Sequence, residues 1–217
     1  FRQFVREQWA AEPAFVRETR ARIIAYFTAW VEQTVGDETE VLPQPATHAM
    51  HAEIENLRMV WAWVLDADSV VPQQIELFVR ATYLYHHSRA TFARGLETLA
   101  AFAQRLADEL AAVRAMCLSR MGGLAVNLGR LEEAQQYLAD CEALLDVEEH
   151  PQEHVLLLRT LGKLFFFSAE YQQAETVLER ALSIYTALDS DTGRGIVLRS
   201  RGSVKNAMGD YAGAQTI

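Results

Sequence analysis

The chain has 217 residues, of which half are apolar and 23% are charged, so it can bury a core and does not have the composition of a disordered protein. Its net charge of −9 disfavours direct binding of nucleic acid, because neutralising phosphates requires a surplus of Lys and Arg on one face. Two cysteines without a CxxC motif are typical of a reducing compartment, and the apolar runs are too short to cross a membrane. We therefore expect a cytoplasmic protein without membrane or direct nucleic-acid contacts.

Residues 1–35 are predicted to form a helical lead-in of two pieces, since Pro13 suits the first turn of a helix. Apolar residues at three- and four-residue spacing, from Ile23 to Val31, give the second piece one buried stripe. Residues 36–47 contain two prolines, several charges and no periodicity, and are therefore predicted to form a loop.

Residues 48–109 are predicted to contain one long helix and then a degenerate copy of a repeat that recurs later. Three residues of this copy lie forty positions before residues of the next one: Phe78, Thr82 and Tyr85 before Leu118, Gly122 and Ala125. The second helix of the copy is displaced by one residue. We expect one extra residue in the turn to account for the displacement.

Residues 110–217 carry a motif that returns every forty residues. Gly122, Gly162 and Gly202 are each preceded by leucine at minus four and followed by alanine at plus twelve. A motif of this length is typical of stacked helix hairpins, each of which buries its apolar face against the next copy. The sequence thus predicts an all-α fold with three such repeats, the last truncated, in which small residues let helices approach closely.

The motif resembles the tetratricopeptide repeat, W-x2-L-G-x2-Y followed by A-x3-F. The second copy carries the resemblance most fully, through Leu158, Leu161, Gly162, Phe165, Ala174 and Leu178. The third copy departs from it, with Arg201 and Lys205 where apolar residues are expected. The resemblance implies a right-handed superhelical solenoid of antiparallel helix hairpins, in which the first helices line a concave groove.

A narrower resemblance is to the region after the winged-helix element of STAND-class (NB-ARC-like) regulators, which are signal-transduction ATPases with a repeat-built sensor. FRQFVREQ is similar to the end of that element, RARIIAYFTAWVEQ to the helix after it, and AEIENLRMVWAWVLD to an E-x-x-NLR-x-x-x-x-W segment. The resemblance implies a parent protein that binds ATP upstream and changes its assembly state when the sensor engages an inducer. These 217 residues contain no GxxxxGK[ST] phosphate loop.

A ligand or partner groove is expected along the first helices of the repeats. Projection from the repeated glycines makes these residues groove-facing: Ser119, Gly123, Val126, Asn127, Arg159, Lys163, Phe166, Phe167, Arg199, Ser203 and Asn206. Arg159, Lys163 and Arg199 would form a cationic strip suited to a carboxylate or phosphate. The alternative is that these cations pair with surface Glu and Asp.

Aromatic residues and histidines supply further candidates. Consecutive helical residues point about 100° apart, so Phe165, Phe166 and Phe167 cannot all be core residues. We assign Phe165 to packing, and the other two either to the groove or to a neighbouring layer. Three residues of the degenerate copy are candidates for groove lining or surface, with ligand or metal binding as the alternative: Tyr83, His86 and His87.

Catalytic chemistry is not indicated. Cys117 and Cys141 are expected to be small buried side chains, with redox use as the alternative. His150 and His154 lack the glutamate of an HExxH motif, and no nucleophile and base share a suggestive spacing. We therefore predict no catalytic residues, no metal site and no cofactor in this chain.

The two resemblances together imply a non-catalytic sensor region of a signalling or transcriptional regulator. It would recognise a peptide, a protein or a small anionic inducer in its groove. The alternative is a general scaffold for protein–protein assembly that has no ligand switch. Because the last repeat stops partway, we expect a piece of a longer protein, with self-association possible through the exposed edge of the stack.

Overall fold

The structure is a computed structural model that describes residues 13–36, 41–66, 71–106 and 110–216. Throughout these ranges the regular elements are helices and no strand occurs, so the predicted all-α class is confirmed. The predicted helix at FRQFVREQ lies outside the described residues. The chain divides into two compact units, Phe1–Ala90 and Thr91–Ile217, and each is described by itself below.

The first unit is built around its longest described helix, which packs against the three helices that follow it. Its core side chains include Val31, Leu57, Val60, Ile75 and Phe78, all fully buried. Val31 belongs to the apolar stripe that the sequence predicts. The helices are α1 (Pro13–Val35), α2 (Gln44–Ala52), α3 (Ile54–Leu65) and α4 (Pro72–Ser88).

Two details of the first unit differ from the sequence prediction. Residues 44–47, expected in a loop, form the first turn of α2, where Pro45 is favourable because its fixed φ suits a helix start and its missing N–H would be unsatisfied there anyway. The long helix expected after residue 48 is interrupted at Glu53, which lies between α2 and α3 with φ −101° and ψ 8°.

The second unit repeats its helix boundaries at an interval of forty residues. The first helices of three successive pairs begin at 111, 151 and 191 and have 17 residues each, and the second helices begin at 131, 171 and 211. We call these pairs first, second and third. The helices are α5 (Phe92–Ala103), α6 (Ala111–Asn127), α7 (Leu131–Leu144), α8 (Pro151–Phe167), α9 (Tyr171–Ala187), α10 (Asp191–Ala207) and α11 (Tyr211–Gln215).

Packing in the second unit follows the chain. Each helix contacts the next one along the sequence, and α8 also contacts α6 and α10. One cluster of buried apolar side chains draws on α6, α7 and α8, and another draws on α8, α9 and α10. The first helices of the three pairs are therefore neighbours in order.

The repeated glycines explain the close approach within the first two pairs. A Cβ built on Gly122 would lie 2.6 Å from Leu138, and one built on Gly162 would lie 2.7 Å from Leu178, so only glycine fits at either position without displacing a leucine. Gly202 has open space at the same place. The position sixteen residues after it, which would correspond to Leu138 and Leu178, is 218 and lies beyond the sequence.

Turns of three residues join the helices of each pair. Gly129, Ala169 and Gly209 end the first helices in the left-handed region, with φ of 72°, 60° and 80°. The turn after α4 also has three residues, so the expected extra turn residue is absent. Both ends of that turn are displaced by one residue. The last residue of α4, Ser88, lies thirty-nine positions before Asn127, and the first residue of α5, Phe92, lies thirty-nine positions before Leu131.

Candidate functional site

The predicted groove residues of the second unit lie on the first helices of the three pairs. We call the set Asn127, Arg159, Lys163, Phe166, Phe167, Arg199 and Asn206 the binding surface. The first four of these are half-buried, and Phe167, Arg199 and Asn206 are exposed. Because α8 contacts both α6 and α10, it lies in the middle of this surface.

Three other residues that were expected to face the groove are buried instead. Ser119 and Val126 are almost inaccessible, and Gly123 is buried as well. The cause is that α6 has neighbours on several sides, since it packs against α5 as well as α7 and α8. On α6, only Asn127 at its C-terminal end remains part of the binding surface.

Lys163 is the most informative charge on the binding surface. Its amine donates a hydrogen bond across the seam between α6 and α8 to Oδ1 of Asn127. Burial lowers the pKa of the Lys163 amine, and no neighbouring charge contributes to that shift. Among the described residues, this amine has one neutral hydrogen-bond acceptor and no carboxylate partner, so the alternative that it pairs with surface Glu or Asp does not hold for Lys163.

The amide of Asn127 is fixed by the same contact. An ammonium group can only donate, so the oxygen of the amide must face Lys163 and its nitrogen must point away. That nitrogen, Nδ2, is buried and has no hydrogen-bond partner within the part of the chain that the structure describes. A buried donor left unsatisfied costs about 1–3 kcal/mol of folding free energy.

Arg159 lies one helical turn before Lys163 on α8. Its guanidinium donates to the hydroxyl of Tyr185 on α9 at 3.2 Å. Tyr185 is nearly buried, and its ring lies against Gly193 of α10 so closely that a Cβ at Gly193 would overlap it. Tyr185 therefore restricts the position of Arg159, a role that the sequence analysis missed because the two residues are 26 positions apart.

The three consecutive phenylalanines divide as helical geometry requires. Phe165 and Phe166 pack against the buried cluster of α8, α9 and α10. Phe166 also contacts the rings of Phe167 and Tyr171, at centroid distances of 5.5 and 5.9 Å. The side chain of Phe167 is 55% exposed, so it is the one aromatic group of the three that is available to another molecule.

A buried ion pair lies in the same unit and was not predicted. Arg120 of α6 and Glu153 of α8 form two hydrogen bonds, of 2.7 and 3.1 Å, and the arginine is only 6% exposed. Cys117 and Cys141 are both buried, as expected, and burial raises the pKa of each thiol to about 12. Both are protonated at neutral pH and are poor nucleophiles.

The charged residues that depart from the repeat motif in the third pair have partners. Arg201 donates to Glu175 of α9 at 2.5 and 3.1 Å, and the two side chains are each 15% exposed. Lys205 bonds to Asp210 at 3.2 Å and lies 4.0 Å from the same glutamate. Ion pairs thus replace the apolar contact that the motif has at these positions in the other copies.

The candidate residues in the first unit take part in two separate ring contacts. His86 is 2% exposed, so it does not line a surface as expected, because it lies beneath neighbouring side chains with its ring 5.0 Å from that of Tyr85. His87 stacks on Tyr83 at 5.4 Å. Tyr85 is bonded to Nδ1 of His51 at 2.8 Å. Among the described residues, no three His, Cys, Asp or Glu side chains are grouped to hold a metal ion.

Comparisons with known proteins place the fold only. No protein-family model and no curated protein matches the chain. Among solved structures, the chain is similar to the crystal structure of BtubC (BKLC) from P. vanneervenii, with a TM-score of 0.61 and 15% sequence identity. The alignment covers 99% of this chain and 82% of that chain. In the described ranges, no helix combines the length and apolarity that crossing a membrane requires.

Proposed function

We propose that this chain is a non-catalytic binding region that holds an anionic peptide, protein or small inducer on the binding surface. The observation that carries the proposal is the state of Lys163, a partly desolvated amine with a neutral partner. A cation that only stabilised the fold would be expected to pair with one of the many Asp and Glu side chains of this acidic protein. An amine that has no carboxylate partner among the described residues is suited to bind a carboxylate group of a ligand.

The proposal includes a right-handed, tetratricopeptide-like solenoid for the second unit. Its support is the forty-residue interval of the helix boundaries and the equivalent glycine–leucine contacts in the first and second pairs. Such stacks present the first helices of successive pairs on one wall, and the residues of the binding surface belong to those helices.

The proposal also assigns the chain to the sensor region of a cytoplasmic STAND-class regulator. Support comes from the E-x-x-NLR-x-x-x-x-W segment, which begins at Glu53 and continues along α3. In this segment Asn56 donates a hydrogen bond to Glu53, and Leu57 is buried. Trp63 at the end of that segment lies under the guanidinium of Arg20 at 5.3 Å and so joins α3 to α1. We expect the gene to encode a phosphate loop and a winged helix before residue 1, and their absence from the full reading frame would contradict this assignment.

Charge reversal on the binding surface tests the binding function. We expect Arg159→Glu combined with Arg199→Glu to weaken capture of a fluorescein-labelled, glutamate-rich peptide by about tenfold or more, because attraction becomes repulsion. Fluorescence anisotropy measures the affinity, and circular dichroism checks that the helix content is unchanged.

Arg130→Glu is the matched control, since Arg130 is an exposed cation of the same unit outside the binding surface. Equal affinities for wild type, double variant and control would contradict the proposal. They would favour a scaffold that joins partners through other surfaces.

A further inference from the structure

Three side chains of different chemistry share one face of α8. Arg159, Lys163 and Phe167 recur at intervals of four residues and therefore follow one another along the helix. Each step corresponds to a rise of about 6 Å. The face thus presents two cations and then an exposed aromatic ring in a fixed order.

The two cations of this face are positioned to donate hydrogen bonds to the oxygen atoms of a carboxylate. The amine of Lys163 uses one of its three N–H donors on Asn127, and among the described residues it makes no other hydrogen bond. Arg159 is held by Tyr185 from the other side, so its guanidinium is already restricted in position. A carboxylate reaching this place would meet charge-assisted donors whose positions are largely settled before binding.

The aromatic part is a rigid platform. Phe167 is more than half exposed, yet its ring contacts Phe166, which packs on the buried cluster of the second and third pairs. An exposed ring with a supported edge provides apolar contact area with little loss of side-chain freedom on binding. This feature is not needed for binding a simple ion.

From this arrangement we infer that the occupant is an extended acidic peptide with a carboxylate side chain at one position and a large apolar side chain two positions away. The inference rests on the proposed function and specifies its ligand. The carboxylate accepts hydrogen bonds from Lys163 and Arg159, and the apolar side chain packs on Phe167. In an extended chain, side chains two residues apart point the same way and lie about 7 Å apart, which is close to the rise of about 6 Å between Lys163 and Phe167.

The test uses labelled, end-blocked peptides whose flanking residues are all threonine and serine. The reference peptide has a Glu-Thr-Phe core, and a second peptide carries the reversed Phe-Thr-Glu order. Three further peptides replace Glu by Gln, replace Phe by Ser, or place Glu next to Phe. Fluorescence anisotropy with the full 217-residue chain measures each affinity.

We expect one or both of the spaced cores to bind, and the three altered peptides to bind about tenfold more weakly. Lys163→Gln should weaken the Glu peptide about tenfold and leave the Gln peptide unchanged. Phe167→Ser should weaken the Phe peptide and leave the Ser peptide unchanged. Lys163→Arg should retain most of the affinity, and Arg130→Gln should have no effect.

The outcomes separate this inference from the proposed function. If every acidic peptide binds equally, whatever its spacing or apolar residue, the inference is overturned while an anion-binding surface remains supported. Free acetate binding as tightly as the reference peptide would likewise replace the peptide by a small anion. If no acidic peptide and no acetate binds, both the inference and the proposed function are contradicted.

Discussion

The seam between the first and second helix pairs and the seam between the second and third are filled differently at equivalent positions. In the first seam a buried arginine and glutamate form two hydrogen bonds, and in the second seam an aromatic ring lies over a glycine. The equivalent residues, forty apart, are Arg120 and Thr160, Glu153 and Gly193, and Leu145 and Tyr185. Helix boundaries that repeat every forty residues are therefore compatible with different side chains at equivalent positions, provided that all members of each set are present.

Substitutions are expected to destabilise the two seams for different physical reasons. The ion pair depends on charge compensation, because either partner alone would be a charge with little access to water. The ring and glycine depend on volume, because the ring fills the space that a side chain at Gly193 would need. The first seam should therefore be sensitive to substitutions that remove a charge, and the second seam to substitutions that add volume.

Removing the acid of the ion pair is expected to have the largest effect. Glu153→Ala should lower the free energy of unfolding by about 3–5 kcal/mol, because the buried guanidinium of Arg120 loses the carboxylate that compensates its charge. Urea denaturation followed by circular dichroism measures the loss. Glu18→Ala, which breaks an exposed pair with Arg22, should cost less than about 1 kcal/mol, and equal losses would refute the distinction.

Adding a methyl group at the second seam is expected to have an intermediate effect. Gly193→Ala should lower the free energy of unfolding by about 1–3 kcal/mol, because the new Cβ would overlap the Tyr185 ring. Gly195→Ala is the matched control in the same helix. It has open space around its Cβ and should stabilise by up to about 1 kcal/mol.

A second substitution separates overlap from other causes of that loss. Tyr185→Leu copies the residue at the equivalent position of the first pair, and combined with Gly193→Ala it should recover part of the stability. If the double variant is as unstable as the sum of the two single variants, overlap with the ring is not the cause.

The smallest effect is expected at the turns. Ala169 adopts φ 60° where the first pair has Gly129, and a left-handed conformation costs a non-glycine residue about 1–2 kcal/mol. Ala169→Gly should therefore raise the free energy of unfolding by about 1 kcal/mol, offset in part by the greater freedom of glycine in the unfolded chain. Ala139→Gly, at an exposed position inside α7, should lower it by a similar amount, and a decrease in both variants would contradict the strain.

Much of the helical layout could be predicted because it depends on local signals. The glycines at 122 and 162, the turns after 127 and 167, and the apolar spacing between them all follow from short stretches of sequence. The break at Glu53 could not be predicted in this way, since residues 48–66 read as one uninterrupted helical pattern.

The accessibility of the predicted groove residues could be predicted only in part. On α8, Lys163 is half-buried and Phe167 is exposed, but projection on α6 put Ser119 in the groove although neighbouring helices bury it. The contacts that define the site join residues far apart in sequence, such as Lys163 with Asn127 at 36 positions and Arg159 with Tyr185 at 26. Such pairings depend on how helices stack, which one sequence does not specify residue by residue.

The ionic contact of Arg201 with Glu175 affects how the third pair responds to heat. The penalty for dehydrating charged groups falls as temperature rises, while the gain from burying apolar surface levels off. Lys205 and Asp210 extend this contact into a small network. We therefore expect the third pair to keep its contact with α9 on warming better than it would with an apolar contact of the same size.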